Sequence, residues 1–203
     1  MSPRKPRLPP DQPTLLSRAA DKGGAKPLAD RMRPRTLEEV VGQLHVLDAG
    51  KVLGDAIRND RVPSLILWGP RGSGKTTLPH VIARLTRTEF VPFSAVLGGL
   101  PELRTIIDAA RERRSYDGRG TTLFVDEIHR FNKSQQDAFL PHLENGTLSL
   151  IGATTENPSF PLYPALLSRC RVSRLDALGA PELRVLLERA LVDRERGLGA
   201  REH

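Results

Sequence analysis

The chain has 203 residues, 38% hydrophobic and 27% charged, with a formal net charge of +7, a composition ordinary for a soluble globular protein and sufficient for one sizeable domain plus a tail. A single cysteine, Cys170, excludes an intrachain disulfide framework and points to a reducing compartment. No apolar run approaches the length of a membrane span and the basic N-terminus lacks the apolar stretch of a secretory signal, so a cytoplasmic protein is expected.

Residues 1–26 carry Arg4, Lys5, Arg7, Arg18, Lys22 and Lys26 against Asp11 and Asp21 in a Pro-rich stretch with few large apolar side chains. This reads as a disordered basic arm, either a plain solvated tail or a contact to nucleic acid. From Pro27 onward strands and helices alternate, an α/β pattern. A helix is expected over Lys51 to Asn59, a strand over Ser64 to Trp68, a helix over Thr77 to Leu85 and a strand over Glu89 to Phe93. Pro101 to Arg114 follows as a helix with Leu103, Ile106, Ile107 and Ala110 on one face, then a strand over Thr121 to Asp126. Ser134 to Leu143 is expected to be helical with Ser134 as N-cap, Leu148 to Ala153 and Arg171 to Leu175 to be strands, and Pro181 to Leu191 a last helix with Pro181 in its first turn. Most of these strands are continuous apolar runs, as expected of a sheet covered on both faces.

Between the first strand and its helix lies GPRGSGKT, residues 69–76. The spacing G-x-x-x-x-G-K-[ST] belongs to a P-loop, in which glycines let successive N–H groups turn inward on phosphate oxygens while the following helix adds its positive end. Gly69, Pro70, Arg71, Gly72, Ser73 and Gly74 would form the cradle. Lys75 would reach the β- and γ-phosphates, Thr76 would ligate Mg²⁺ and Thr77 would extend the phosphate contacts. The third strand ends in Asp126 and Glu127. Behind a P-loop, such a pair reads as Walker B: Asp126 would hold Mg²⁺ and Glu127 would polarise the attacking water.

Three longer segments carry a family resemblance: PLADRMRPRTLEEVVGQ at 27–43, TLFVDEIHRFNKSQQD at 122–137 and GATTENPSF at 152–160. With the P-loop they resemble the core of an AAA+ ATPase, and more narrowly the replication-associated recombination protein A family, related to the Werner-helicase-interacting ATPase of eukaryotes. The resemblance covers about Pro27 to Gly199. It implies a five-stranded parallel sheet of order 5-1-4-3-2 with the nucleotide at the strand carboxyl ends, a nucleotide-binding domain over 27–192 and a tail over 193–203.

The same resemblance implies further roles. Val40, Val41 and Gly42 match the segment that packs against adenine, and Thr155 the sensor that orients the lytic water, with Thr154 as the neighbouring register. Arg169, in Ser168-Arg169-Cys170, matches an arginine finger acting in trans on a neighbouring subunit. The implied function is Mg-ATP hydrolysis in DNA replication, recombination and repair at stalled forks or single-strand gaps, with single-stranded or forked DNA, replication proteins and further copies of the chain as partners, in a cytoplasmic, nucleoid-associated protein. A clamp-loader or Holliday-junction branch-migration subunit is the alternative within the class, and a nucleotide-binding interaction module with little or no hydrolysis the alternative outside it.

Several residues stay open between two readings. His129-Arg130-Phe131 is a loop that senses nucleotide or touches DNA, or a plain surface loop. Arg111, Arg113, Arg114 and Arg119 either complement a helix end or bind phosphate. Arg169, Arg171 and Arg174 would otherwise form a basic strand edge. The chain departs from the family at Arg71, where proline is usual, at Pro79 inside the P-loop helix, and at Pro161 and Pro164 ahead of Arg169. It also stops at His203, where the family continues into a helical lid and an oligomerisation region, so a truncated core is expected, with assembly in doubt.

Overall fold

The computed structural model describes residues 26–199; the basic arm expected over 1–26 therefore lies, except for Lys26, outside the described residues. These divide into a large compact unit, Pro34–Glu188, and a smaller one drawn from residues up to Arg33 and from Arg189 onward.

In the smaller unit, α1 (Leu28–Arg31) is a single turn, with Asp30 paired to Arg33 at 2.8 Å. Near its other end Asp193 accepts the backbone N–H groups of Glu195 and Arg196 at 2.9 and 2.7 Å. Those bonds, the one from Arg196 foremost, hold the Asp193 carboxyl below the usual range.

The larger unit begins with α2 (Leu44–Leu47) and α3 (Val52–Arg58), followed by β1 (Leu65–Trp68), α4 (Thr77–Leu85), β2 (Glu89–Ser94), α5 (Leu100–Asp117) and β3 (Thr121–Asp126). A 3₁₀ turn (Ile128–Arg130), α6 (Lys133–Glu144), β4 (Leu148–Thr154), α7 (Pro164–Leu167), β5 (Arg171–Arg174) and α8 (Ala180–Val192), whose residues from Arg189 are counted with the smaller unit, complete the order. The sheet is parallel in every pairing and runs β2-β3-β4-β1-β5, the expected order read from the other edge. β1 lies between β4 and β5, so the strand that feeds the P-loop is flanked on both sides.

Alternation along the strands splits the core into two layers. Leu65 and Leu67 of β1, Phe124 of β3 and Ile151 and Ala153 of β4 join Leu47, Leu53, Ile57, Leu78, Val81 and Ile82 from α2, α3 and α4. Ile66, Leu123, Val125, Leu148 and Leu150 join Leu103, Ile107, Phe139 and Leu166 from α5, α6 and α7. Helices on both faces thus bury the apolar runs, as the sequence pattern requires. The exception is β5, an edge strand mostly exposed along its length, whose Arg-Val-Ser-Arg sequence contributes little to either layer.

Two local readings of the sequence are corrected. The N-cap of α6 is Asn132 and not Ser134: Asn132 Oδ1 accepts the N–H of Gln135 at 2.9 Å while Gln135 Oε1 accepts the N–H of Asn132 at 3.0 Å, a reciprocal capping box that Ser134 cannot form. α5 extends beyond Arg114 to Asp117 and stops at Gly118, whose left-handed backbone (φ 64°) suits a glycine there. Pro79 has the effect its missing donor dictates. Leu78 N–H reaches the Gly74 carbonyl at 2.9 Å, the next bond in register cannot form, and the uninterrupted helix starts at Thr77. Among the described residues no helix is long and apolar enough to cross a membrane.

Candidate functional site

The carboxyl ends of the strands converge on one edge, because the parallel register pairs Trp68 with Thr154 and with Arg174, and Ser94 with Asp126. The GPRGSGKT loop leaves β1 at this edge. Its concave face is open: at Gly72 (φ 78°) and Gly74 (φ 94°) an added Cβ would meet nothing within 4 Å, and both residues hold backbone angles that other side chains rarely adopt. Ser73 is 1% exposed and its Oγ lacks a hydrogen-bond partner. Lys75 turns back on the loop, donating from Nζ to the carbonyls of Gly69 at 2.8 Å and Pro70 at 2.6 Å. Partial burial lowers the Lys75 pKa, against the opposing pull of Glu127 and then Asp126. A lysine borrowed by loop carbonyls, an unpartnered buried hydroxyl and an open glycine-walled concavity fit a phosphate group. Pro70, Arg71 and Thr76 are exposed around the loop, with Thr77 opening α4.

Gln43 sets the back of this loop, and sequence reasoning did not single it out. It is 2% exposed, and its amide donates to the Ser73 carbonyl at 3.1 Å and to the Asp176 carbonyl at 2.8 Å while accepting the Asp176 N–H at 3.1 Å. Of the three residues matched to the adenine segment, Val40 packs against the core layer of α2 to α4, Val41 is half-buried, and Gly42 lies against Leu178 and Glu182 after β5.

Asp126 and Glu127 follow from the end of β3. Asp126 Oδ1 accepts the N–H of Glu127 at 3.1 Å. Glu127 adopts a left-handed backbone (φ 53°, ψ 45°), which costs about 1–2 kcal/mol for a residue with a Cβ. The turn that follows is held by Arg130 N–H to Glu127 O at 2.9 Å and by Ile128, which is fully buried. Ile128 fits because Gly152 of β4 lacks a side chain: a Cβ there would stand 2.6 Å from Ile128 Cδ1 and 2.9 Å from Ile66 Cδ1. That seating brings His129 onto the end of β4. Its Nδ1 is 3.0 Å from Thr154 Oγ1 and 3.2 Å from Glu127 Oε2, and its Nε2 is 3.5 Å from Glu156 Oε1. Of the two adjacent threonines, Thr154 is buried and bonded, whereas Thr155 is exposed.

Arg169 stands apart from this cluster in sequence, after α7. Its guanidinium pairs with the Glu144 carboxylate and donates to the Ala165 carbonyl at 2.6 Å and to Ser168 Oγ at 3.2 Å. The prolines ahead of it are accommodated: Pro164 takes the first position of α7, and Gln136 holds the approach by donating to the Pro161 carbonyl at 3.3 Å and accepting the Tyr163 N–H at 3.0 Å. The basic residues around the end of α5 have protein partners, Arg113 on Thr121 Oγ1 at 2.8 Å, Arg114 on the Asn145 carbonyl at 2.7 Å and Arg119 on the Arg87 carbonyl at 2.6 Å.

Comparison with known proteins adds to this geometry. Residues 32–181 match the family model of the Holliday junction DNA helicase RuvB P-loop domain. The chain is 54% identical over 177 residues to replication-associated recombination protein A of Escherichia coli (strain K12), covering 87% of this chain and 39% of that protein. It is 44% identical over 165 residues to the ATPase WRNIP1 of Dictyostelium discoideum, covering 81% of this chain and 19% of that protein. A solved structure of the RuvB Holliday junction branch migration motor of Thermotoga maritima superposes with a TM-score of 0.63 at 32% identity, covering 79% of this chain and 54% of that chain. The chain thus spans well under half the length of these curated relatives.

Proposed function

Because the chain belongs to the replication-associated recombination protein A family of AAA+ ATPases, we propose that it binds ATP with Mg²⁺ and hydrolyses it in DNA replication, recombination and repair, at stalled forks or single-strand gaps. The observation that carries this reading is that the P-loop leaves β1 at the sheet edge where β3 ends in Asp126 and Glu127, whose charges act on Lys75, beside an open loop with an unpartnered buried Ser73 hydroxyl.

In the proposed mechanism the amides of residues 69–77 cradle the phosphates, and Lys75 exchanges the Gly69 and Pro70 carbonyls for phosphate oxygens. Thr76 and Asp126 would hold Mg²⁺, which when bound supplies charge neutralisation at the phosphates. Glu127 accepts a proton from the attacking water. Thr155 is the better candidate for orienting that water, since the Thr154 hydroxyl is already engaged by His129 and the Glu156 N–H. Val40, Val41 and Gly42 border adenine, and Arg169 acts on a neighbouring copy. DNA, replication proteins and further copies are the proposed partners, in a cytoplasmic, nucleoid-associated protein.

The match to the RuvB P-loop domain favours a second reading, a branch-migration subunit; the higher identity to the recombination protein argues for the first. The test is steady-state hydrolysis of Mg-ATP, with and without forked DNA, beside fluorescent-nucleotide binding, for the parent chain, Lys75→Ala and Glu127→Gln. Turnover lost in both variants, with binding kept in Glu127→Gln, supports the reading. Binding without turnover in the parent leaves an interaction module.

A further inference from the structure

His129 carries no assigned role in the mechanism above, yet it is among the best-connected side chains at the strand edge. Its imidazole is 11% exposed and flanked by two carboxylates, Glu127 on the Nδ1 side and Glu156 on the Nε2 side. One nitrogen, Nδ1, faces two oxygens at almost equal distance, Thr154 Oγ1 at 3.0 Å and Glu127 Oε2 at 3.2 Å. Glu127 Oε2 is itself buried and lacks a hydrogen-bond partner, a costly condition for a carboxylate oxygen. The Thr154 hydroxyl is fixed independently, since its oxygen accepts the Glu156 N–H at 3.0 Å.

We propose that His129 is a positioning residue for Glu127: its Nδ1–H, anchored on Thr154, is the donor that fixes the buried oxygen of the Glu127 carboxylate and leaves the other oxygen to the water. A small rotation of the imidazole moves the hydrogen bond from Thr154 Oγ1 to Glu127 Oε2. Two features of the backbone hold the arrangement. The left-handed Glu127 turns its side chain back towards the residue two positions ahead, and Ile128, seated on Gly152, locks the intervening turn to β4. On its other side the same imidazole lies 3.5 Å from Glu156 Oε1, at the start of the segment that leads to α7.

This inference rests on the reading of Glu127 as the base, and its test separates the two. Hydrolysis and fluorescent-nucleotide affinity are measured for the parent chain, Glu127→Gln, His129→Ala, His129→Gln, His129→Asn and the double variant Glu127→Gln/His129→Ala. An Asn amide nitrogen lies where Nδ1 lies, and a Gln amide reaches only the place of Nε2. His129→Ala and His129→Gln are expected to lower kcat about tenfold with KM and nucleotide affinity within about twofold, His129→Asn to stay within about threefold of the parent, and the double variant to be no slower than Glu127→Gln. Full activity in His129→Ala beside an inactive Glu127→Gln overturns the inference alone. Equal losses in all three His129 variants, accompanied by weaker nucleotide binding and a lower melting temperature, overturn it in favour of a packing role. A parent chain that does not hydrolyse ATP, or that tolerates Glu127→Gln, overturns the reading of Glu127 and the inference together.

Discussion

The carboxylate of Glu144, at the end of α6, holds the guanidinium of Arg169 within the same chain, and the Ala165 carbonyl and Ser168 hydroxyl complete its partners. A finger that acts on a neighbour must first leave this pair. The ion pair is half exposed, so its rupture costs little, about 1 kcal/mol or less. Glu144→Gln is expected to lower the protein concentration at which turnover begins to rise with concentration, and Arg169→Ala to abolish that rise. ATP hydrolysis measured across a dilution series checks both.

Lys75 makes two short bonds to loop carbonyls. Lys75→Ala is expected to weaken nucleotide binding by about 10- to 100-fold, the value of one or more charge-assisted hydrogen bonds to phosphate, while the circular dichroism spectrum stays unchanged. Titration with a fluorescent ATP analogue measures the loss.

His142 of α6 is a buried imidazole, with Nδ1 lacking a partner. Burial, and then the Arg111 guanidinium, push its pKa below the ordinary 6.5, against the weaker pull of Asp108. The unfolded chain therefore binds a proton that the folded chain refuses, and stability falls as the pH drops through 6.5 and below. Urea midpoints at pH 7.5 and 5.5 are expected to differ by less in His142→Gln than in the parent.

Cys170 sits under the last turn before β5, where burial pushes its thiol up to about 12 from 9.0. At pH 8 the thiolate is about a thousandfold scarcer than in the unfolded chain, and the native protein is expected to resist alkylation for hours while the urea-unfolded protein reacts in minutes. The sign for stability is the reverse of that for His142: the contribution is intact below pH 9 and is lost as the pH rises towards 12.

What the sequence made legible was whatever repeats over a few residues. Apolar runs located β1 to β4, with ends that shifted by one residue where strand pairing continued, as at Ser94 and Thr154. The P-loop and the paired acids were readable because their chemistry is local. The four-residue helices α1, α2 and α7 left no periodicity to detect, and β5 is a strand by virtue of its pairing with β1 and not of its composition. Gln43 was missed as a site residue, and His129 was left between a nucleotide-sensing loop and a plain surface loop, for a related reason. Their partners lie 133 and 25 positions away, and only the folded register brings them together. The same register separates Thr154, which is paired with Trp68 and turned inward, from exposed Thr155, a distinction that two identical letters cannot make.

The side chain of Gln43 ties Ser73 to Asp176, and β1 hydrogen-bonds to β4 and β5, both formed from residues far downstream. During synthesis the phosphate loop therefore emerges long before the groups that brace it. A nascent chain stopped after β4 and before residue 176 has the β1–β4 pairing but lacks β5 and the Gln43–Asp176 bonds that brace the phosphate loop. The bracing is complete only when β5 and the Asp176 backbone arrive, and nucleotide protection of truncated chains is expected to be strongest once that point is passed.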